Sequence, residues 1–240
     1  MLVIRIISLV FASWFATVNP VLEQAKAEFK KANEAFMQDV FSVKMNYHIY
    51  KQAADAKPND IKTGNYYKNG DVSYSLISGI ESIRTKTSVI AIQAEEKTLV
   101  VSNAAKKDNN ISMSPDTLLK FCSQIKRTEP TANLIKYELI FRQDIDLEFE
   151  KLEVFINKNG FVLSKIVMYY PQQEVPSQDE ADQTEMIQPK MEVIYSNYSK
   201  VVSLDKSVFA EQSYVQLVAP NKYKGVGKYS GYQIYNQKTK

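Results

Sequence analysis

The stretch GNYYKNGDVSYSLISGIESIRTKTSVIAIQAEEKTLVVSN, residues 64–103, decides the fold class. Apolar and polar residues alternate in short runs, and turns cut the runs at Asn69-Gly70-Asp71, at Gly79 and at the charged Glu95-Glu96-Lys97. An Asn-Gly step between two alternating runs is a strong short-range signal for a β-hairpin. The spacing predicts a hairpin whose second strand spans 72–77, followed by strands over 80–85, 88–93 and 98–103. Just ahead, Val43, Met45, Tyr47 and Ile49 alternate with Lys44, Asn46 and His48, which adds a strand with one face inward. The polar segment 52–62, with Pro58, reads as the loop between them. This half of the chain is a meander of five or six short antiparallel strands.

Toward the N-terminus the period changes. In residues 20–39, PVLEQAKAEFKKANEAFMQD, the apolar positions Leu22, Ala25, Phe29, Ala32 and Phe36 fall three and four apart. That is one amphipathic helix with Asn19-Pro20 as its start and a core-packing stripe. Before it, the apolar run IISLVFASWFA, residues 6–16, follows the single basic Arg5. It is shorter than the about 20 residues a membrane span needs and has the length of a signal-peptide core. We read residues 1–16 as a cleaved signal peptide, in preference to an N-terminal anchor or a buried helix. An exported protein follows from that reading.

Toward the C-terminus, Ser114-Pro115-Asp116 supplies a cap, a first-turn proline and an early acid, so a second helix is expected to run to about residue 127. Leu118, Cys122 and Ile125 would share its buried face, beside Leu119 and Phe121. Strands are expected again over 134–142, 151–157 and 161–170, with the turn Asn157-Lys158-Asn159-Gly160 between the last two. Residues 171–189, PQQEVPSQDEADQTEMIQP, are acidic and poor in apolar side chains, and read as a mobile loop. A strand over 190–198, a turn at 204–208 leading into Phe209 and a last core strand over 214–218 complete a single domain spanning 17–218. The Tyr- and Gly-containing tail, 219–240, reads as a frayed edge strand or a disordered segment.

Composition narrows the function. The formal charge of +3, lowered further by loss of Arg5, is too small for an electrostatic claim on nucleic acid. Cys122 is the single cysteine, so no intramolecular disulfide exists and packing alone must hold the fold. As the buried member of a helix it reads as a packed thiol, not a nucleophile. His48 is the single histidine and falls on the polar phase of its strand, where it serves neither a triad nor a two-histidine metal site. The acids Asp144, Asp146, Glu148 and Glu150 recur at a period of two, and a solvated face explains them better than a calcium site. Neither a phosphate-binding glycine loop nor a G-x-S-x-G elbow occurs. No catalytic residue, metal or cofactor is therefore expected.

Three stretches carry a family resemblance. They are GNYYKNGDVSY at 64–74, LEVFINKNGFVLSKI at 152–166, and VIYSNY at 193–198 with LDKSVF at 204–209. In order, with the leading helix and the inserted one, they resemble the LolA-like family, the periplasmic outer-membrane lipoprotein carriers and their relatives. The acidic insert at 171–189 departs from the compact carriers. The resemblance implies a mainly β protein with two or three helices: an incomplete, strongly curved antiparallel β-barrel with helices covering the open side around an apolar cavity for acyl chains. In that picture Met45, Tyr47, Ile49, Tyr74, Leu76, Leu139, Phe141, Val154, Ile156, Val193 and Tyr195 point into the cavity, and Leu118, Leu119 and Cys122 close it. The expected partners are acyl chains of lipids or lipoproteins, in a non-enzymatic transport role. The alternative is a non-enzymatic interaction or sensor module of the cell envelope, with a filled core, meeting a protein partner through the acidic loop or the Tyr-rich tail.

Overall fold

A computed structural model describes residues 20–104, 115–176 and 184–238. The expected signal segment, 1–16, lies outside the described residues, as does part of the acidic loop. In chain order the elements are α1 (Pro20–Phe36), β1 (Val40–Tyr50), β2 (Asp60–Asn69), β3 (Val72–Ile77), β4 (Ile80–Arg84), β5 (Ser88–Gln93) and β6 (Thr98–Asn103). Then follow α2 (Pro115–Lys120), β7 (Cys122–Thr131), β8 (Leu134–Phe141), β9 (Lys151–Asn157) and β10 (Val162–Tyr169). The chain continues with β11 (Gln173–Pro176), β12 (Thr184–Ile187), β13 (Lys190–Ser199), β14 (Val215–Ala219), β15 (Lys222–Gly225) and β16 (Gln233–Asn236). Among the described residues, no helix is long and apolar enough to cross a membrane.

Twelve strands form one sheet in the order β16-β6-β5-β4-β3-β2-β1-β13-β10-β9-β8-β7. It is a large curved sheet that does not close into a barrel, because β16 and β7 are its two ends. All neighbours are antiparallel except β16, which pairs parallel to β6. The meander read from residues 43–103 is present, in sequence order from β1 to β6.

The second helix is shorter than expected: α2 ends at Lys120, and residues from Cys122 onward form β7. The reason lies in a bulge. Cys122 faces Phe141 and Gln124 faces Ile140, so Ser123 is an extra residue, and Cys122 and Ile125 keep the same face although they are three apart. A spacing of three, which reads as helical, is here produced by a strand.

Two packed cores occupy opposite faces and opposite ends of the sheet. On one face, Ala25, Phe29 and Ala32 of α1 and Leu119 of α2 pack on Ile135, Tyr137, Leu139 and Phe141 of β8 and Leu152, Val154 and Ile156 of β9. We call this the helix face. Behind this end, the other face is charged: Lys136 lies 3.0 Å and Lys151 3.7 Å from Glu153, and Lys190 lies 3.6 Å from Glu192. The second core lies on that other face, at β4, β5 and β6, where Ile83, Ile90, Ile92, Leu99 and Val101 pack against Tyr214, Val215 and Tyr229.

The C-terminal part therefore has more structure than a tail. The strand expected to be the last of the core is β14, which pairs with β15 in a separate hairpin, and β16 becomes an edge of the large sheet. Gly225 is required at the hairpin base: a Cβ there would sit 1.9 Å from the Tyr229 carbonyl oxygen. The acidic segment is likewise paired at both ends, by β11 and β12.

Candidate functional site

Register decides which side chains share a surface. Met45, Tyr47 and Ile49 of β1 lie directly opposite Tyr195, Val193 and Met191 of β13. Val193 and Met191 in turn lie opposite Ile166 and Met168 of β10. Because side chains alternate along each strand, all eight stand on the helix face. Val193 is buried; Met45, Tyr47, Ile49, Ile166, Met168, Met191 and Tyr195 are half-buried. Of the eight, only Ile166 and Met168 touch the helix core, from its margin, and none belongs to the other core. The middle of the sheet thus carries an apolar patch between the two packed ends.

Gly64 lets this patch extend to β3. It faces Met45, and an added Cβ would lie 3.0 Å from Ile77 Cγ1 and 3.3 Å from Tyr47 Cε2, so both side chains close over it. The patch is poorly solvated. Burial, with Tyr47 nearby, pushes the Tyr195 phenol up to about 12, and burial raises Tyr47 as well. Tyr47 Oη donates to Met45 Sδ at 3.4 Å. Both phenols stay neutral at physiological pH, and the charges that border the patch on this face are Lys62 and Asp60 of β2, opposite Tyr47 and Ile49 and 3.6 Å from each other.

The residues expected to line one cavity divide into three groups. Met45, Tyr47, Ile49, Val193 and Tyr195 come together in the patch. Leu118, Leu119, Cys122, Leu139, Phe141, Val154 and Ile156 come together as well, but within the helix core, where Leu139 and Ile156 have no exposed surface. Those positions are filled by protein. Tyr74 and Leu76 stand on the opposite face: Tyr74 faces Tyr67, which faces Ser42, and Leu76 faces Asn65, which faces Lys44. They belong with the polar phase of β1, and Tyr74 packs on the margin of the second core. Met168, Met191, Ile166 and Gly64 join the patch without having been expected there. The signal for Met191 was present, two residues before Val193 on the same strand.

A polar tie fixes α1 on β7 and β8, while Phe36 at its C-terminal end meets the Tyr195 ring of the patch at 5.8 Å between centroids. Glu28 accepts hydrogen bonds from Arg127 Nε at 3.2 Å, Arg127 Nη2 at 3.1 Å and Tyr137 Oη at 2.6 Å. Burial alone would raise the Glu28 carboxyl, but these bonds, a further one from Gln24 and the Arg127 charge outweigh it and hold the group below the ordinary range.

None of the three polar candidates from the sequence builds a reactive centre among the described residues. Cys122 Sγ donates to the Leu118 carbonyl at 3.5 Å, and burial pushes the thiol up to about 11. It stays protonated, the opposite of what a nucleophile requires. His48 stands on the polar face of β1, opposite Glu192. Asp144, Asp146, Glu148 and Glu150 lie exposed in the β8–β9 loop, while Leu147 and Phe149 between them pack on the helix core. Among the described residues, no group of three or more histidine, cysteine or acidic side chains is placed to hold a metal ion.

No protein-family model and no curated protein matches the chain. Among solved structures it is similar to a LolA superfamily protein from Nitrosomonas europaea, at 15% identity and TM-score 0.33, over 78% of this chain and 98% of that one. It is also similar to the lipoprotein LppX from Mycobacterium tuberculosis, at 9% identity and TM-score 0.36, over 78% of this chain and 100% of that one. An uncharacterized conserved protein from Thermus thermophilus aligns at 8% identity and TM-score 0.47, over 89% of this chain and 99% of that one.

Proposed function

We propose that this chain is a non-enzymatic, exported carrier that holds an acyl chain of a lipid or lipoprotein against the helix face of β1, β13 and β10, in the periplasm. The observation that carries the reading is the continuous apolar patch of Met45, Tyr47, Ile49, Met191 and Tyr195, half-buried and outside the two packed cores, with Met168 joining it at the margin of the helix core. Three methionines give it adaptable shape. In this reading α1 covers one flank of the patch, held by Glu28 and Arg127. Burial of an acyl chain contributes about 0.8 kcal/mol per methylene, so about ten methylenes reach the scale of micromolar binding.

The test is a titration of the mature chain, from residue 17, with a fluorescent fatty acid. Ile49→Asp places a carboxylate in the patch, and binding should weaken at least about tenfold, the cost of desolvating a polar group without a partner. Ile61→Asp is the control, since Ile61 faces His48 on the opposite face and is 58% exposed. Equal binding by wild type and both variants, with unchanged circular dichroism, would remove the patch as the binding surface. The filled helix core favours a second reading, an envelope interaction module. It predicts no fatty-acid uptake by the wild-type chain and no acyl species by native mass spectrometry.

A further inference from the structure

The C-terminal segment has a charge and an apolar tip that neither core explains. Residues 215–240 carry five lysines and no aspartate or glutamate, more positive charge than the formal +3 of the entire chain. Lys228 lies 3.6 Å from Glu81, and Lys238 lies 3.1 Å from Glu211. Lys222 and Lys224 are exposed and have no ion-pair partner among the described residues.

These two lysines stand on the β14–β15 hairpin. Its base is anchored: Val215 is buried in the second core, and Gly225 lies against the Tyr229 backbone. Its far end is apolar and exposed, and is held at the turn by Asn236 Nδ2, which donates to the Asn221 carbonyl at 2.8 Å. Leu217 is 58% and Val218 50% exposed, and Ala219-Pro220 follow at the turn. Beside the hairpin runs a groove of about 420 Å³, lined by Lys222, Lys224, Ser230, Tyr232 and Asn236 among others, and by no carboxylate. Tyr223 and Tyr232, packed on the margin of the second core, form the aromatic wall of this groove.

We propose that the β14–β15 hairpin docks this protein on an anionic lipid bilayer, with Leu217 and Val218 entering the headgroup region and Lys222 and Lys224 facing the lipid phosphates. The charge complements a phosphate-rich surface, and the exposed apolar tip on an anchored base suits shallow insertion. An acidic protein would satisfy the lysines but would leave that tip without a role. The surface lies on the face of the sheet opposite the acyl-chain patch, so the inference stands independently of the carrier reading.

The experiment is co-sedimentation of the mature chain, from residue 17, with phosphatidylcholine vesicles, with and without phosphatidylglycerol. Binding should require phosphatidylglycerol and fall with added salt. Each lysine near an anionic surface is worth roughly fivefold in partition, so Lys222→Gln with Lys224→Gln should weaken binding about 25-fold. Leu217→Ser with Val218→Ser should weaken it as well, and the loss should persist at high salt. All four positions are exposed, so circular dichroism and fatty-acid uptake should not change. Failure of the wild-type chain to bind phosphatidylglycerol vesicles overturns the proposal. So does binding that survives both double variants, or binding that soluble polyglutamate competes away as efficiently as vesicles do. A chain that binds vesicles but takes up no fatty acid retains the docking surface and loses the carrier reading; the reverse result does the opposite.

Discussion

At one end of the sheet, Phe29 and Ala32 of a regular helix cover β8 and β9 on the helix face; at the other, Tyr214, Val215 and Tyr229, drawn from short turns and a hairpin, cover β4 to β6 on the opposite face. Carboxylates pin both covers. Glu28 takes three hydrogen bonds from Arg127 and Tyr137, whereas Glu211 accepts from Ser88, from Thr87 at 3.4 Å and from Lys238 at 3.1 Å. The contrast teaches that burial in a sheet this wide belongs to the cover above it, not to the sheet. Alternation makes one face of β1, β4, β8 and β9 apolar, but which face is covered reverses between β1 and β4. The patch on β1, β13 and β10 lies where the helix cover has ended and the other cover is on the wrong side.

The largest expected effect breaks the helix end alone. Phe29 is buried, with its ring edge-on to Tyr137 at 4.9 Å between centroids. Phe29→Ala should cost about 3–5 kcal/mol of unfolding free energy, as for other buried aromatic truncations. Amide exchange should speed up in β8 and β9 and stay slow in β5 and β6. Equal acceleration at both ends would mean that the two covers form one cooperative unit.

The reciprocal test breaks the other cover. Gly225→Ala drives a methyl group into the Tyr229 backbone, and a cost of about 2–3 kcal/mol is expected from overpacking against atoms that cannot rotate away. Exchange should now rise in β5, β6 and β14 while β8 and β9 keep their protection.

The smallest effect sharpens the comparison through pH. For Glu211, as for Glu28, burial works upward but the hydrogen bonds, here from Ser88, Lys238 and Thr87, and the nearby positive charge win, so the carboxyl stays below the ordinary range. A carboxylate whose folded pKa is lowered contributes stability above its unfolded-state value, near about 4.3, and loses it as pH falls through the lowered value. The wild-type chain should therefore lose stability on the acid side of about pH 4. Glu28→Gln should cost about 1–3 kcal/mol at neutral pH and flatten that limb, because it removes charge-assisted bonds from Arg127. Glu211→Gln should cost about 1 kcal/mol and flatten it less. Thermal unfolding of the two variants from neutral to acid pH checks the order; a larger effect at Glu211 would reverse the ranking of the two ties.

The amino-acid sequence by itself determined the local elements. The helix at α1 follows from apolar residues three and four apart, and the meander from β1 to β6 from period-two alternation cut by Asn-Gly and Gly turns, because those patterns act over a few residues. Cys122 marks the boundary of that legibility: a bulge at Ser123 imitates helical spacing, and only pairing with β8 makes the segment a strand. The tertiary structure alone decided which faces meet. Tyr74 and Met45 both stand on alternating strands, yet they point to opposite faces, because the β1–β2 and β2–β3 registers set their relation across two interfaces. A shift of one residue at either interface would exchange the faces, and no local pattern encodes that choice. The same holds for the C-terminal segment, whose turns became a cover because the apolar face of β4 to β6 had no other.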